Sequence, residues 1–262
     1  MAGRRTRRRI RTFIAVGGAA LVAVGVTGCG EADLAGAPVE RKVFAFEGEA
    51  LTIDSEDSEL VLVPADVEDV EVSRQVDGWV VAGEGPTASW RLEGGKLTLR
   101  LECRAMISDC RSRHEVKVPR GVAVTVQGDN GTVSADGFRT ALKVQADNGL
   151  IKVEDATGPL ELQSDNGEIV VDRAASKSVI ARADNGAVRL AFGAVPQRVE
   201  TTSDNGEITV ELPRGKTAYA VETRSDNGEV KVDVPHDGSS AHIVKARSDN
   251  GNITVRTADS AN

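Results

Sequence analysis

Leu160-Glu161-Leu162-Gln163-Ser164-Asp165-Asn166-Gly167-Glu168-Ile169-Val170-Val171 is the stretch that decides the fold. Leu160 and Leu162 stand two apart before the triplet Asp165-Asn166-Gly167, and Ile169 and Val171 stand two apart after it. Spacing by two on both sides of a turn describes strand, turn, strand with one face buried.

The triplet recurs as Asp129-Asn130-Gly131, Asp147-Asn148-Gly149, Asp184-Asn185-Gly186, Asp204-Asn205-Gly206, Asp226-Asn227-Gly228 and Asp249-Asn250-Gly251. Glycine-to-glycine steps are 18, 18, 19, 20, 22 and 23 residues. Two residues after each Gly stands Val or Ile, and five before each Asp stands Val or Leu. A period of this size indicates a solenoid or an array. Asn-Gly between alternating strands is also a strong hairpin signal, so a set of separate hairpins is the rival. The solenoid is preferred, because one short hairpin cannot bury its apolar face alone. Seven coils stacked at strand spacing give a height of roughly 29 Å.

From five before the Asp to four after the Gly is 12 residues in every copy, and the connections between copies lengthen as 6, 6, 7, 8, 10 and 11. The triplet edge is therefore expected to be in register and the opposite edge to widen. The expected fold is all-β: a tapered β-solenoid over 119–257, with longer strands in its last coils and an irregular β cap over 40–118. Leu51, Ile53, Leu60 and Leu62 surround Glu56-Asp57-Ser58 at the repeat's spacing, and Trp90 to Leu99 reads as another turn or a true hairpin. Residues 258–262 are a tail. No amphipathic helix covers the last coil in sequence, so Ile253 and Val255 are expected at an open edge suited to end-to-end self-association.

The N-terminus reads as an address. Residues 1–28 combine six arginines and no acid with the apolar run Phe13 to Val26, a signal-peptide pattern. Val26-Thr27-Gly28-Cys29 resembles the bacterial lipobox, which implies acylation of Cys29 and anchoring to the outer face of a cell membrane, with 29–39 as acylated residue and tether. Thr6-Arg7-Arg8-Arg9-Ile10 also resembles a twin-arginine export signal. In an exported chain, Cys103 and Cys110 are expected to pair as a disulfide. A metal or redox pair is the alternative, without C-x-x-C spacing to favour it.

The whole chain carries 32 basic and 40 acidic residues. That acidity, sharper once the basic leader is set aside, argues against nucleic acid as a partner. Tandem Ser-Asp-Asn-Gly coils behind a lipoprotein signal resemble the DUF4097 family over about residues 40–257. The resemblance implies a β-solenoid whose adhesin label was inferred from architecture, and it offers no catalytic residues.

Chemistry is sparse. Stacked carboxylates repel by roughly 0.9 kcal/mol per neighbour in a water-like dielectric. Asx-turn bonds to backbone N–H groups are the expected offset, with calcium at the Asp column as the sharper alternative. The Asn column is expected to bond along the axis, and Asn and Gly both tolerate a left-handed turn. His114, His236 and His242 lie in unrelated contexts, and no G-x-S-x-G, H-E-x-x-H or phosphate-loop motif appears. The expectation is a non-catalytic envelope module without a cofactor, binding an envelope protein or glycan. Exposed aromatics are few: parity turns Phe192 and Tyr219 inward. The widened edge (Lys216, Tyr219, His236, His242) is a candidate binding surface.

Overall fold

The computed structural model describes residues 34–258. Cys29, the leader and the start of the tether to residue 33 lie outside the described residues, as do residues 259–262.

Five strands form the N-terminal part: β1 (Glu40–Phe44), β2 (Ala50–Ser55), β3 (Glu59–Ala65), β4 (Val70–Glu93) and β5 (Lys96–Pro119). Seven triplet coils follow. They are β6 (Ala123–Asn130) with β7 (Val133–Asp136), β8 (Leu142–Asn148) with β9 (Ile151–Glu154), and β10 (Leu160–Asn166) with β11 (Ile169–Ala174). Next come β12 (Ser178–Asn185) with β13 (Val188–Phe192), and β14 (Arg198–Asn205) with β15 (Ile208–Leu212). The last two in sequence are β16 (Ala220–Asn227) with β17 (Val230–Asp233), and β18 (Ile243–Asn250) with β19 (Ile253–Thr257).

Successive coils stack in parallel, each triplet on the next: Asn130 pairs Asn148, Asn148 pairs Asn166, Asn166 pairs Asn185, and Asn185 pairs Asn205. The parallel ladder excludes separate hairpins. The degenerate turn also keeps the register, with Leu51 and Ile53 opposite Val124 and Val126, and Leu60 and Leu62 opposite Val133 and Ala135. Inward positions such as Ile169, Val188, Ile208 and Val210 are fully buried and form one continuous core.

The order of the last two coils is reversed in space. β14 pairs with β18, and β18 in turn pairs with β16; likewise β15 pairs with β19, and β19 with β17. The seventh coil is thus inserted between the fifth and sixth. Ile253 and Val255 are fully buried, whereas Val230 and Val232 are 40% and 41% exposed. The expected open edge at Ile253 and Val255 is therefore corrected to β16 and β17.

The same swap accounts for the long connections. The second strand of a coil grows only from 4 residues in β7 and β9 to 5 in β13, β15 and β19, so most of the extra residues lie outside the strands. They form 213–219, which passes over one layer, and 234–242, which steps back. These two loops meet in a parallel bridge between Tyr219 and His236.

The triplet edge is a hydrogen-bonded spine. Each Asn side-chain N–H donates to the Asn Oδ1 of the neighbouring layer, at 3.0 Å for Asn148 to Asn130 and 3.1 Å for Asn227 to Asn250. The first acceptor is the Asp57 carboxylate, 2.7 Å from Asn130 Nδ2. Serines just before the triplet add a second column: Ser203, Ser225 and Ser248 donate to the glycine carbonyl of the next layer. Asn185→Asp keeps the acceptor for Asn205 but sets a carboxylate against Asn166 Oδ1. It should lower unfolding free energy by about 1–2 kcal/mol in urea denaturation; unchanged stability would show that the amide column contributes nothing.

Two expectations about the triplet are corrected. Among the described residues no carboxylate of the Asp column accepts a backbone N–H, so Asx-turns do not offset the repulsion. Arg224 and Arg247 do reach Asp226 and Asp249, at 2.8 and 3.3 Å; Asp129, Asp147, Asp184 and Asp204 are exposed to solvent and Asp165 partly so, and solvent screens them. Nor is the turn left-handed. No Asn of the column has positive φ, and of its glycines only Gly131 and Gly149 do. Glycine is required because coils touch there: a Cβ on Gly167 would lie 1.8 Å from the Gly149 carbonyl oxygen.

Candidate functional site

The part of the molecule that departs most from the repeat is a ribbon made by β4 and β5. Glu93-Gly94-Gly95-Lys96 joins them as a tight hairpin, with φ of 57° at Gly94 and 75° at Gly95, as its two-residue loop demands. β5 begins beside β2, with Ser55 opposite Leu99, and ends beside β3, with Glu59 opposite Arg113. Three residues, 56–58, make that turn in the coil below; residues 100–112 make it in β5. The surplus leaves the stack with β4 paired alongside, doubles back and returns.

The Cys103–Cys110 disulfide staples the doubled strand. These residues are 7 apart in sequence, yet their Cα atoms are 6.6 Å apart. An extended strand would separate them by about 23 Å. Close packing of the bent ribbon selects glycine at Gly83, where a Cβ would come within 2.2 Å of the Arg104 carbonyl oxygen. Beyond the staple the tip turns Val81, Met106 and Ile107 outward, with Met106 87% exposed. Opposite charges flank them: Arg104 pairs with Glu102 at 2.8 Å, and Arg111 with Asp109 at 3.5 Å.

Beneath the ribbon lies a buried polar knot. Ser58 Oγ is 2.7 Å from His114 Nδ1 and donates to or accepts from it according to tautomer, and Ser112 Oγ donates to the Asp57 carbonyl. Trp90 meets His114 and Phe44 edge-on, and the Arg74 guanidinium lies 4.1 Å over the Trp90 ring. Burial, with Arg74 adding to it, pushes His114 down to about 4. Among the described residues His114 Nε2 has no hydrogen-bond partner, which the neutral ring tolerates better than the cation.

Residues 116–259, more than half the chain, match the family model Toastrack DUF4097. The chain belongs to that family. Among solved structures it is similar to a "putative adhesin" from Bacteroides fragilis, at 14% identity and TM-score 0.49 over 84% of this chain and 97% of that one. It is also similar to a "putative cell adhesion protein" from Clostridium sporogenes, at 12% identity and TM-score 0.38 over 85% of this chain and 100% of that one. At such values neither structure's activity transfers to this Toastrack chain. No curated protein matches it.

Other sequence candidates do not converge in the Toastrack fold. Tyr219 is buried in the core, as parity required, and its ring lies 6.1 Å from that of His242. His242 Nδ1 is 2.7 Å from the Pro196 carbonyl oxygen. Lys216 and His236 are exposed without joining them in a pocket. Among the described residues, no group of three His, Cys, Asp or Glu side chains is arranged to hold a metal ion. Also among them, no helix is long and apolar enough to cross a membrane. Sequence reasoning missed the tip residues Val81, Met106 and Ile107. Their one signal was the apolar pair Met106-Ile107 inside the short cysteine loop.

Proposed function

We propose that this Toastrack chain is a lipid-anchored, extracytoplasmic binding module without catalytic chemistry, which meets a protein partner through the ribbon tip. The observation that carries this reading is the stapled, outward-turned apolar cluster of Val81, Met106 and Ile107. Exposed aliphatic side chains ringed by balanced ion pairs suit a protein interface, which has an apolar centre and a polar rim. They suit a glycan less well, since the exposed side chains at the bend itself, Val81, Met106 and Ile107, are aliphatic. The disulfide supports an oxidising compartment. The Val26-Thr27-Gly28-Cys29 motif supports the anchor, and acylation with two or more chains would hold the module stably.

The experiment uses chain from Gly30 onward, immobilised and exposed to envelope extract, beside a Met106→Asp/Ile107→Asp variant of equal melting temperature. A specific protein retained by the native chain and lost from the variant is the expected result. Equal retention by both would overturn the tip as the binding surface. In cells, Cys29→Ser should abolish incorporation of labelled fatty acid; persistence of the label would remove the anchor from this reading.

A further inference from the structure

The terminal coil, β16 with β17, pairs on one side only among the described residues. Its inward side chains are half-covered, whereas the equivalent Val188, Ile208 and Ile253 of inner coils are fully buried. The free backbone groups can be assigned. Ile253 N–H donates to the Glu229 carbonyl, and in a parallel ladder the N–H and C=O of alternate residues point the same way. The groups of Glu229, Lys231 and Asp233 therefore face β19, and those of Val230, Val232 and Val234 face open space. On β16, Ala220 N–H donates to the His242 carbonyl, so the groups of Val221, Thr223 and Ser225 are the free ones.

We propose that this coil is an isologous interface that takes a second copy of the same chain, with β17 pairing antiparallel to its counterpart about a two-fold axis through Val232. The argument is the charge order of the edge. Read against itself antiparallel, Val230-Lys231-Val232-Asp233-Val234 sets Val232 opposite Val232, Val230 opposite Val234, and Lys231 opposite Asp233 on both sides of the axis. The apolar pairs fall on the core face and the ion pairs on the outer face. Among the described residues, neither Lys231 nor Asp233 makes an ion pair. Val232 would exchange two N–H···O=C bonds with its counterpart, since its free groups point outward.

On β16 the outward residues Glu222, Arg224 and Asp226 alternate in sign. Arg224 thus meets a carboxylate of the second copy whether the axis falls at Thr223 or at Ser225. Like charges opposed across an edge would repel, so this order is not what an edge protected from self-pairing carries. The two cores would join end to end, covering Val230 and Val232.

Sedimentation of the chain from Gly30 onward, over concentrations up to about 1 mM, tests this. A dimer is expected. Val232→Pro removes a free edge N–H without removing a bond inside the chain, so it should keep the fold and lose the dimer. Lys231→Asp opposes two acids and should weaken dimerisation by about tenfold or more, and Lys231→Asp/Asp233→Lys should restore it. The charge pair keeps the test valid if the proline variant misfolds. A monomer at every concentration overturns the proposal, as does a dimer indifferent to these substitutions. The Met106→Asp/Ile107→Asp variant should dimerise like the native chain, so this surface and the ribbon tip stand or fall separately.

Discussion

Gly167→Ala is expected to cost about 4 kcal/mol or more, enough to leave much of the chain unfolded at room temperature. The added Cβ would sit 1.8 Å from the Gly149 carbonyl oxygen, inside any permitted contact. That atom is backbone in the middle of a stack, and the Gly149 N–H is tied to the Asn166 carbonyl, so it cannot swing aside as a side chain could. Relief requires the two coils to separate at the turn, which loosens the amide column and the ladder beside it. Overpacking at ordinary core sites costs about 1–3 kcal/mol because neighbours repack, and here no neighbour can. Gly238→Ala is the control. It lies in a loop, nothing stands within 4 Å of its added Cβ, and its φ is not in the left-handed region. Its unfolding free energy in urea should stay within about 0.5 kcal/mol of the native value. If Gly167→Ala proves equally harmless, coil contact is not what selects glycine in the spine.

Acid should weaken the fold well above the range where carboxylates titrate, and His114 is the reason. Its pKa is about 4 in the folded chain against an ordinary value of 6.5. Between those values the unfolded chain holds a proton on this ring that the folded chain refuses. The unfolded state therefore binds more protons, and stability falls as pH falls from 6.5 to 4. The total over that window is about 3 kcal/mol. Asp54 acts in a lower window. Its hydrogen bond with Arg100 holds its carboxyl below the usual 3.8, so its contribution is lost only as pH falls further. Urea midpoints measured from pH 7 to pH 4 should show the slope in the native chain and a flatter profile in His114→Leu. That variant also leaves Ser58 Oγ its contact with the Ser112 carbonyl, so the core keeps a partner for the hydroxyl. An unchanged slope in His114→Leu would assign the acid sensitivity elsewhere.

The two variants differ in what a reader of the sequence could foresee. Glycine at 167 was legible as part of a turn, but its reason was misread as left-handed backbone. The contact that requires it involves Gly149, which lies in another copy of the repeat. His114 gave no signal at all. It is a lone histidine in a polar stretch, and its burial depends on β5 passing beside β3 and on Trp90 closing over it. The ribbon tip was similarly hidden. The Cys103–Cys110 pair marked a loop, but only the pairing of β4 with β5 shows that two strands leave the stack together and present Met106 at their bend.

What the residues determined by themselves was everything periodic: the all-β class, the strand-turn-strand coil, the inward faces, and the register that places Asn on Asn. These follow from spacing by two and from a constant 12-residue core, and both are local properties of the chain. What the tertiary structure alone decided was which coil lies next to which. Every copy presents the same edge, so the fifth coil can stack on the seventh as well as on the sixth. Local pattern carries no preference between them. The preference is settled by two long connections that must cross the opposite edge, with Tyr219 buried at their meeting point. That choice buries Ile253 and Val255 and leaves Val230 and Val232 at the open end.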